Sequence, residues 1–199
     1  MNTQPSRAPL WLGLLLAGAA LPAFAALKQG DAAPDFKAQA SLAGKAFSYS
    51  LKDALSRGPV VVYFYPAAFT TGCSIQAHTF AENADKFAAA GASIVGVSLD
   101  SIAGLNEFSA DPQSCAGKIP VASDADGKIA RSFDISVADT PAGRKNTRGE
   151  EIAHGRAERT SFIVTPDGKV AAAVGGLAPD ANVHKALEAV QKIASAKKP

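Results

Sequence analysis

The sequence predicts an α/β fold in which a mixed central sheet is covered by helices on both faces. Three observations carry this. Residues 60–65 (VVVYFY) form a continuous β-branched and aromatic run bounded by Gly58-Pro59 and Pro66, the pattern of a strand buried on both faces. Cys73, Ala77, Phe80, Ala84 and Phe87 then recur at helical spacing up to Gly91, and residues 92–98 make a second buried strand. Such a strand–helix–strand unit calls for parallel pairing through a right-handed crossover. Residues 160–165 and 169–174, on either side of Pro166-Asp167-Gly168, instead read as an antiparallel hairpin.

The other elements fit around these. Residues 35–40 and 45–50 read as a short hairpin about Leu42-Ala43-Gly44, and residues 51–56 as one or two helical turns. Asp100 or Ser101 caps a helix running to about Phe108. Residues 111–119 read as a helix end and loop, and residues 129–133 as a short helix. Residues 137–158 are polar and glycine-containing, and read as a long surface excursion whose Arg144, Lys145 and Arg148 are solvated or touch a reductant. Asp180 caps a last helix with Val183, Ala186, Leu187, Val190 and Ile193 on its apolar face. This order of strands and helices is the architecture of a thioredoxin-like fold.

The 199 residues suffice for one well-packed domain. With 47% hydrophobic and 19% charged residues and a formal net charge of +2, the composition is globular and gives no sign of nucleic-acid binding. The first 25 residues stand apart. Arg7 precedes an apolar stretch, residues 10–21, that is short for a bilayer span, and Ala23-Phe24-Ala25 places small residues where a signal peptidase reads them. A cleaved secretory signal is expected, followed by one domain over residues 26–199. The mature chain is then exported, to the periplasm, with no membrane attachment. An uncleaved anchor is the alternative, which Pro22 and the A-x-A pattern oppose.

Export colours the reading of the two cysteines, Cys73 and Cys115. A structural disulfide closing a loop of about 40 residues would contribute roughly 4 kcal/mol. The position of Cys73 allows another role. It falls where a strand's carboxyl end gives way to a helix, the place where ligands bind in α/β sheets. In the first helical turn a thiol feels unpaired backbone N–H groups and a positive dipole end, both of which favour the thiolate. Its spacing equally fits the buried stripe of the helix. The C-x-x-C of a disulfide exchanger is absent, since Thr70-Thr71-Gly72-Cys73 carries one thiol.

Pro66-Ala67-Ala68-Phe69-Thr70-Thr71-Gly72-Cys73 resembles the P-x-x-x-T-x-x-C signature of peroxiredoxins. Ala33-Pro34-Asp35-Phe36, residues 97–101 (VSLDS), residues 123–127 (SDADG) and Arg159-Thr160-Ser161-Phe162 are similar to further family segments, so the resemblance covers nearly the whole mature chain. The residues GCSIQA point to the peroxiredoxin Q, or bacterioferritin comigratory protein, branch.

The resemblance implies a peroxidase that reduces hydrogen peroxide or organic hydroperoxides without a metal or organic cofactor. Cys73 is implied as the attacking thiolate, with Thr70 hydrogen-bonding thiolate and substrate. Pro66 is implied to shield the sulfur, and Arg159 to stabilise thiolate and transition state. The resulting sulfenic acid needs resolution. Many relatives carry a resolving cysteine five residues after the first, where this chain has His78. Cys115 is therefore expected to resolve Cys73, with a one-cysteine enzyme or an intermolecular disulfide as alternatives. The implied partner is a thioredoxin-like or other dithiol protein, and the implied state is a monomer. His78, His154 and His184 match no zinc spacing. The rival readings are a disulfide-handling protein and a binding protein with a structural Cys73–Cys115 bridge.

Overall fold

A computed structural model describes residues 26–196; the expected signal segment, residues 1–25, lies outside the described residues. The chain forms a seven-stranded sheet of order β2-β1-β5-β4-β3-β8-β9 and a separate two-stranded sheet of β6 and β7. β1 (Lys37–Leu42) and β2 (Lys45–Ser50) are the expected hairpin. Ala43 and Gly44 turn it with φ of 50° and 80°, as a two-residue turn with left-handed central residues requires. α1 (Leu51–Leu55) follows directly, with Ser50 Oγ accepting from Asp53 N.

β3 (Val60–Phe64) and β4 (Ser93–Ser98) pair in parallel, joined by α2 (Thr71–Ala89). α2 closes on Gly91, whose φ is 77°. Ala92 N donates to Phe87 O and Gly91 N to Ala88 O, the paired bonds that satisfy the last carbonyls of a helix. α3 (Ile102–Ala110) is capped by Ser101, whose Oγ accepts from Gly104 N, which settles the choice between Asp100 and Ser101.

The sequence reading stopped at a loop before residue 120. The structure adds β5 (Val121–Ser123), parallel to β4 and antiparallel to β1. These three residues tie the first hairpin to the rest of the sheet. α4 (Lys128–Ser132) is the expected short helix. The excursion contains β6 (Val137–Ala138) and β7 (Arg156–Ala157). β8 (Thr160–Val164) and β9 (Val170–Gly175) form the expected hairpin. α5 (Pro179–Ala196) begins one residue before Asp180. Asp180 is thus a first-turn residue whose charge suits the helix dipole, and not a cap, because proline fits the first helical position better.

Alternation along β3 divides two cores. Val61, Tyr63 and Tyr65 pack with α2, α3 and α5, while Val60, Val62 and Phe64 pack with α1, α4 and β1. β8 runs antiparallel to β3 with Thr160 opposite Phe64. That register delivers the residue before β8, Arg159, to the carboxyl end of β3, where α2 begins.

Candidate active site

Thr70 is the N-cap of α2 and Cys73 its third residue. Cys73 N donates to Thr70 O at 2.9 Å, so the sulfur sits within the first turn. The residue is only 1% exposed, yet it lines a cavity of about 380 Å³. One wall is Pro66, Ala67 and Thr70 from the loop after β3; another is Arg156 and Arg159, at and just after β7. The structure thus brings Pro66, Thr70, Cys73 and Arg159 together.

Arg159 Nη2 donates to Cys73 Sγ at 3.4 Å, and Nη1 donates to Gln76 Oε1. Gly72 gives the guanidinium room, since a Cβ there would meet Arg159 Nη2 and Pro179 Cγ, each at 3.3 Å. Behind Gln76 lies a buried polar relay. Gln76 Nε2 donates to Asn182 Oδ1 at 2.9 Å, Ser161 Oγ donates to the same oxygen at 2.6 Å, and Asn182 Nδ2 donates to Val174 O at 2.8 Å. Gln76 and Asn182 are both fully buried, so these bonds fix the one plane in which Arg159 meets both Gln76 and the sulfur. Sequence reading named Gln76 only as part of the GCSIQA segment, and Asn182 not at all. The available signal was a polar side chain inside an otherwise apolar stripe, at the fourth residue from Cys73 counting Cys73 itself, and beside Val183 on α5.

Thr70 Oγ1 donates to Ala67 O at 2.9 Å. Its proton is therefore committed to the loop, and its oxygen keeps acceptor capacity on the cavity side of the cap. Pro66 brings a half-buried ring and no N–H to the same wall.

The excursion is not a merely solvated loop. Thr147 N and Oγ1 both donate to Phe69 O, at 2.8 and 2.7 Å. The Arg148 guanidinium lies 3.6 Å from the Phe69 ring centroid and pairs with Glu107. Phe69 has a φ of 55°, a left-handed conformation costly for an aromatic residue, and these contacts hold it there. Further along, Asp100 Oδ2 accepts from Ala68 N at 2.9 Å and from Ser98 Oγ at 2.7 Å, while Oδ1 lies 3.0 Å from His154 Nε2. The excursion is thus clamped to the Cys73 loop at two points. It covers the cavity with Arg144, Lys145, Asn146, Thr147 and Ile152.

Cys115 is outside this cavity. It lies in the turns after α3 and is fully buried. Burial pushes its thiol pKa well up, the charge of Asp111 pushes it further, and the neighbouring Tyr63 hydroxyl works the other way. No disulfide joins the cysteines. They share one apolar cluster with Tyr63, and the residues beside them touch, Ser114 Oγ lying 3.2 Å from Ser74 Oγ. His78, on α2, is 3.6 Å from Glu82 and does not line the cavity. Among the described residues, no three His, Cys, Asp or Glu side chains are grouped to hold a metal.

Comparison with known proteins gives this geometry a family. The family described as AhpC/TSA matches residues 29–173. A Mycobacterium tuberculosis protein named as a peroxiredoxin is 33% identical over 142 residues, which are 71% of this chain and 83% of that one. The crystal structure of peroxidoxin BcpB from Mycobacterium tuberculosis aligns with a TM-score of 0.69 at 32% identity, over 84% of this chain and 98% of that chain. A structure of the Xanthomonas campestris bacterioferritin comigratory protein, from a study of its alkyl peroxide reduction, aligns with a TM-score of 0.62 at 30% identity, over 78% and 91% of the two chains. The chain belongs to the AhpC/TSA family, in its peroxiredoxin Q (bacterioferritin comigratory protein) branch, and is a thiol-dependent peroxidase on a thioredoxin-like fold.

Proposed function

We propose that Cys73 is the peroxidatic thiolate and that Cys115 resolves its sulfenic acid. The observation that carries the first half is the Arg159 guanidinium 3.4 Å from Cys73 Sγ inside a cavity at the N-terminus of α2. Fixed positive charge and helix dipole both favour negative charge at sulfur and at the departing oxygen. The thiolate attacks the terminal peroxide oxygen. An S–O bond forms, the O–O bond breaks, and sulfur loses two electrons to the peroxide. The alkoxide or hydroxide leaves and takes a proton from water. Thr70 Oγ1, its proton held by Ala67 O, accepts from the O–H of the incoming hydroperoxide. Pro66 excludes water from the sulfur's flank.

Cys115 thiolate then displaces hydroxide from the sulfenic acid, and a dithiol protein reduces the disulfide. Its support is the shared cluster around Tyr63 and the Ser74–Ser114 contact. The segment that must open is made of turns, with Ala116 and Gly117 at φ of 50° and 70°. The chain acts as a monomer after export to the periplasm, with its signal removed after Ala25; the support is the A-x-A pattern behind the apolar stretch of residues 10–21. Its reductant is then an exported thioredoxin-like protein.

The test is the intact mass of the reduced mature protein after one equivalent of hydrogen peroxide, with peptide mapping and a Cys115→Ser variant beside it. A Cys73–Cys115 link in the wild type and a Cys73 sulfenic acid in the variant are expected. An unbridged sulfenic acid in the wild type removes Cys115 from the mechanism. An unmodified Cys73 overturns the assignment of the attacking thiol.

A further inference from the structure

The cavity over Cys73 is far larger than the smallest peroxide needs. Its volume of about 380 Å³ compares with roughly 30 Å³ for one water in the liquid. Hydrogen peroxide leaves most of it to solvent.

The charges around that space are of one sign. Arg144, Lys145, Arg156 and Arg159 line it, and no Asp or Glu does. Among the described residues none of these four cations has a carboxylate within 4.0 Å. Arg148, the fifth cation nearby, is different, because Glu107 neutralises it on the far side of the excursion. Arg156 donates to Asp139 O through Nη2 and holds a buried Nε with no partner. The hairpin's own acids are also turned to local tasks. Glu150 Oε2 accepts from Asn146 Nδ2 and Glu151 Oε1 from Gly143 N, and both line a separate cavity on the His154 side.

The backbone that carries Arg144 and Lys145 is held in place, while both side chains are exposed. The backbones of Lys145 and Glu151 pair as an antiparallel β-bridge, Ile152 N donates to Arg144 O at 2.8 Å, and Asn146 N donates to Glu150 O at 2.9 Å. The tip of this small hairpin is pinned by the Thr147–Phe69 bonds. Unpaired charges of one sign lining a concavity concentrate the opposite charge there.

Arg159 serves the sulfur and the peroxide oxygens. Arg144, Lys145 and Arg156 have no such partner, and the reaction as written does not need them. Building on the peroxidase reading, we infer that these three form an anion subsite and that the preferred substrate is an organic hydroperoxide carrying a carboxylate. The peroxide group reaches Cys73 while the carboxylate rests between Arg156 and the Arg144-Lys145 pair.

The experiment compares a short tertiary alkyl hydroperoxide bearing a terminal carboxylate with its methyl ester, a pair that differs in charge and by one methyl group. In the wild-type protein kcat/KM for the acid should exceed that for the ester about tenfold at low salt. The ratio should fall toward one as ionic strength shortens the Debye length to about 8 Å and less. It should also fall toward one in Arg144→Gln/Lys145→Gln, with thermal unfolding reporting the variant's fold, and below one in Lys145→Glu. Lys185→Gln/Lys192→Gln, a charge-matched change on α5 away from the cavity, should keep the ratio. Equal turnover of acid and ester in the wild type overturns the anion subsite alone. So does an acid preference untouched by salt and by both hairpin variants. If neither compound is consumed, the peroxidase reading falls and this inference falls with it.

Discussion

Cys73 and Cys115 are buried alike, 1% and 0% exposed, and sit in the same apolar cluster. What surrounds each sulfur is opposite. Cys73 has a cavity above it, a helix N-terminus beneath it and the Arg159 guanidinium beside it. Cys115 does not line that cavity, and burial together with the carboxylate charge of Asp111 pushes its thiol pKa up, toward the neutral form. In the proposed mechanism burial does not decide which cysteine reacts; a cation within reach and a path to the sulfur do. The asymmetry would also order events in that mechanism, since a thiol held neutral cannot compete for the first peroxide and becomes a nucleophile only when its segment opens.

The largest way to break this comparison is to remove the cation. Arg159→Leu keeps volume near the cavity but withdraws the donor from Cys73 Sγ. The rate of the first oxidation should drop by about 10²–10³-fold, the usual loss for one well-placed donor to developing negative charge. Stopped-flow fluorescence or competition against a reporter peroxidase measures it. Alkylation of Cys115 in urea should not change. A drop below tenfold would move the electrostatic work from Arg159 to the helix and the other cations.

A smaller effect should follow from the relay behind Arg159. Asn182→Leu removes the partner of Gln76 Nε2 and leaves Val174 O and Ser161 Oγ unsatisfied. Each stranded group costs about 1–3 kcal/mol of stability. If the relay also aims Arg159, the first oxidation should slow by roughly tenfold, about 1.4 kcal/mol. A merely structural role leaves that rate where it is, even as the melting temperature falls.

The two sides of the cavity also differed in how legibly the sequence announced them. The floor was readable. A β-branched run ending at a proline and a cysteine at the start of an apolar helical stripe each carry a local signal, whereas Arg159 is marked only by the resemblance of Arg159-Thr160-Ser161-Phe162 to a family segment. The lid was not. Its position depends on Thr147 bonding a main-chain oxygen at Phe69 and on His154 reaching Asp100, contacts between residues 54 to 78 positions apart. A backbone acceptor leaves no trace in the sequence, so residues 137–158 read as surface. β5 escaped for a related reason: three residues cannot display a period, and its pairing is settled by β1 and β4. Gln76 and Asn182 lie between these extremes, since a polar residue in an apolar stripe is visible but its partner is not.

The smallest effect separates the lid from the floor by pH. His154 Nδ1 lies 2.8 Å from Gly155 O, a pure acceptor, and Nε2 lies 3.0 Å from Asp100 Oδ1. Both bonds require a proton on each nitrogen, hence the imidazolium. Burial pulls the His154 pKa down, but the hydrogen bond and charge of Asp100 outweigh it and the net direction is up. Glu107, Glu150, Glu151 and Arg148 line the same cavity; the three acids favour the imidazolium, and Arg148 opposes it while pairing with Glu107. A folded-state pKa above the unfolded value of about 6.5 makes this contribution complete below that pH. It is lost as pH rises through the folded value. The clamp on Asp100, and with it the Ala68 end of the Cys73 loop, should therefore loosen as pH climbs above about 6.5. The accompanying loss of stability should be no more than about 1 kcal/mol for a partly exposed pair. Hydrogen exchange at Ala68 N should accelerate beyond the intrinsic pH trend in the wild type and follow that trend in His154→Gln. Identical curves for the two proteins would mean that Thr147 and Arg148 hold the lid without His154.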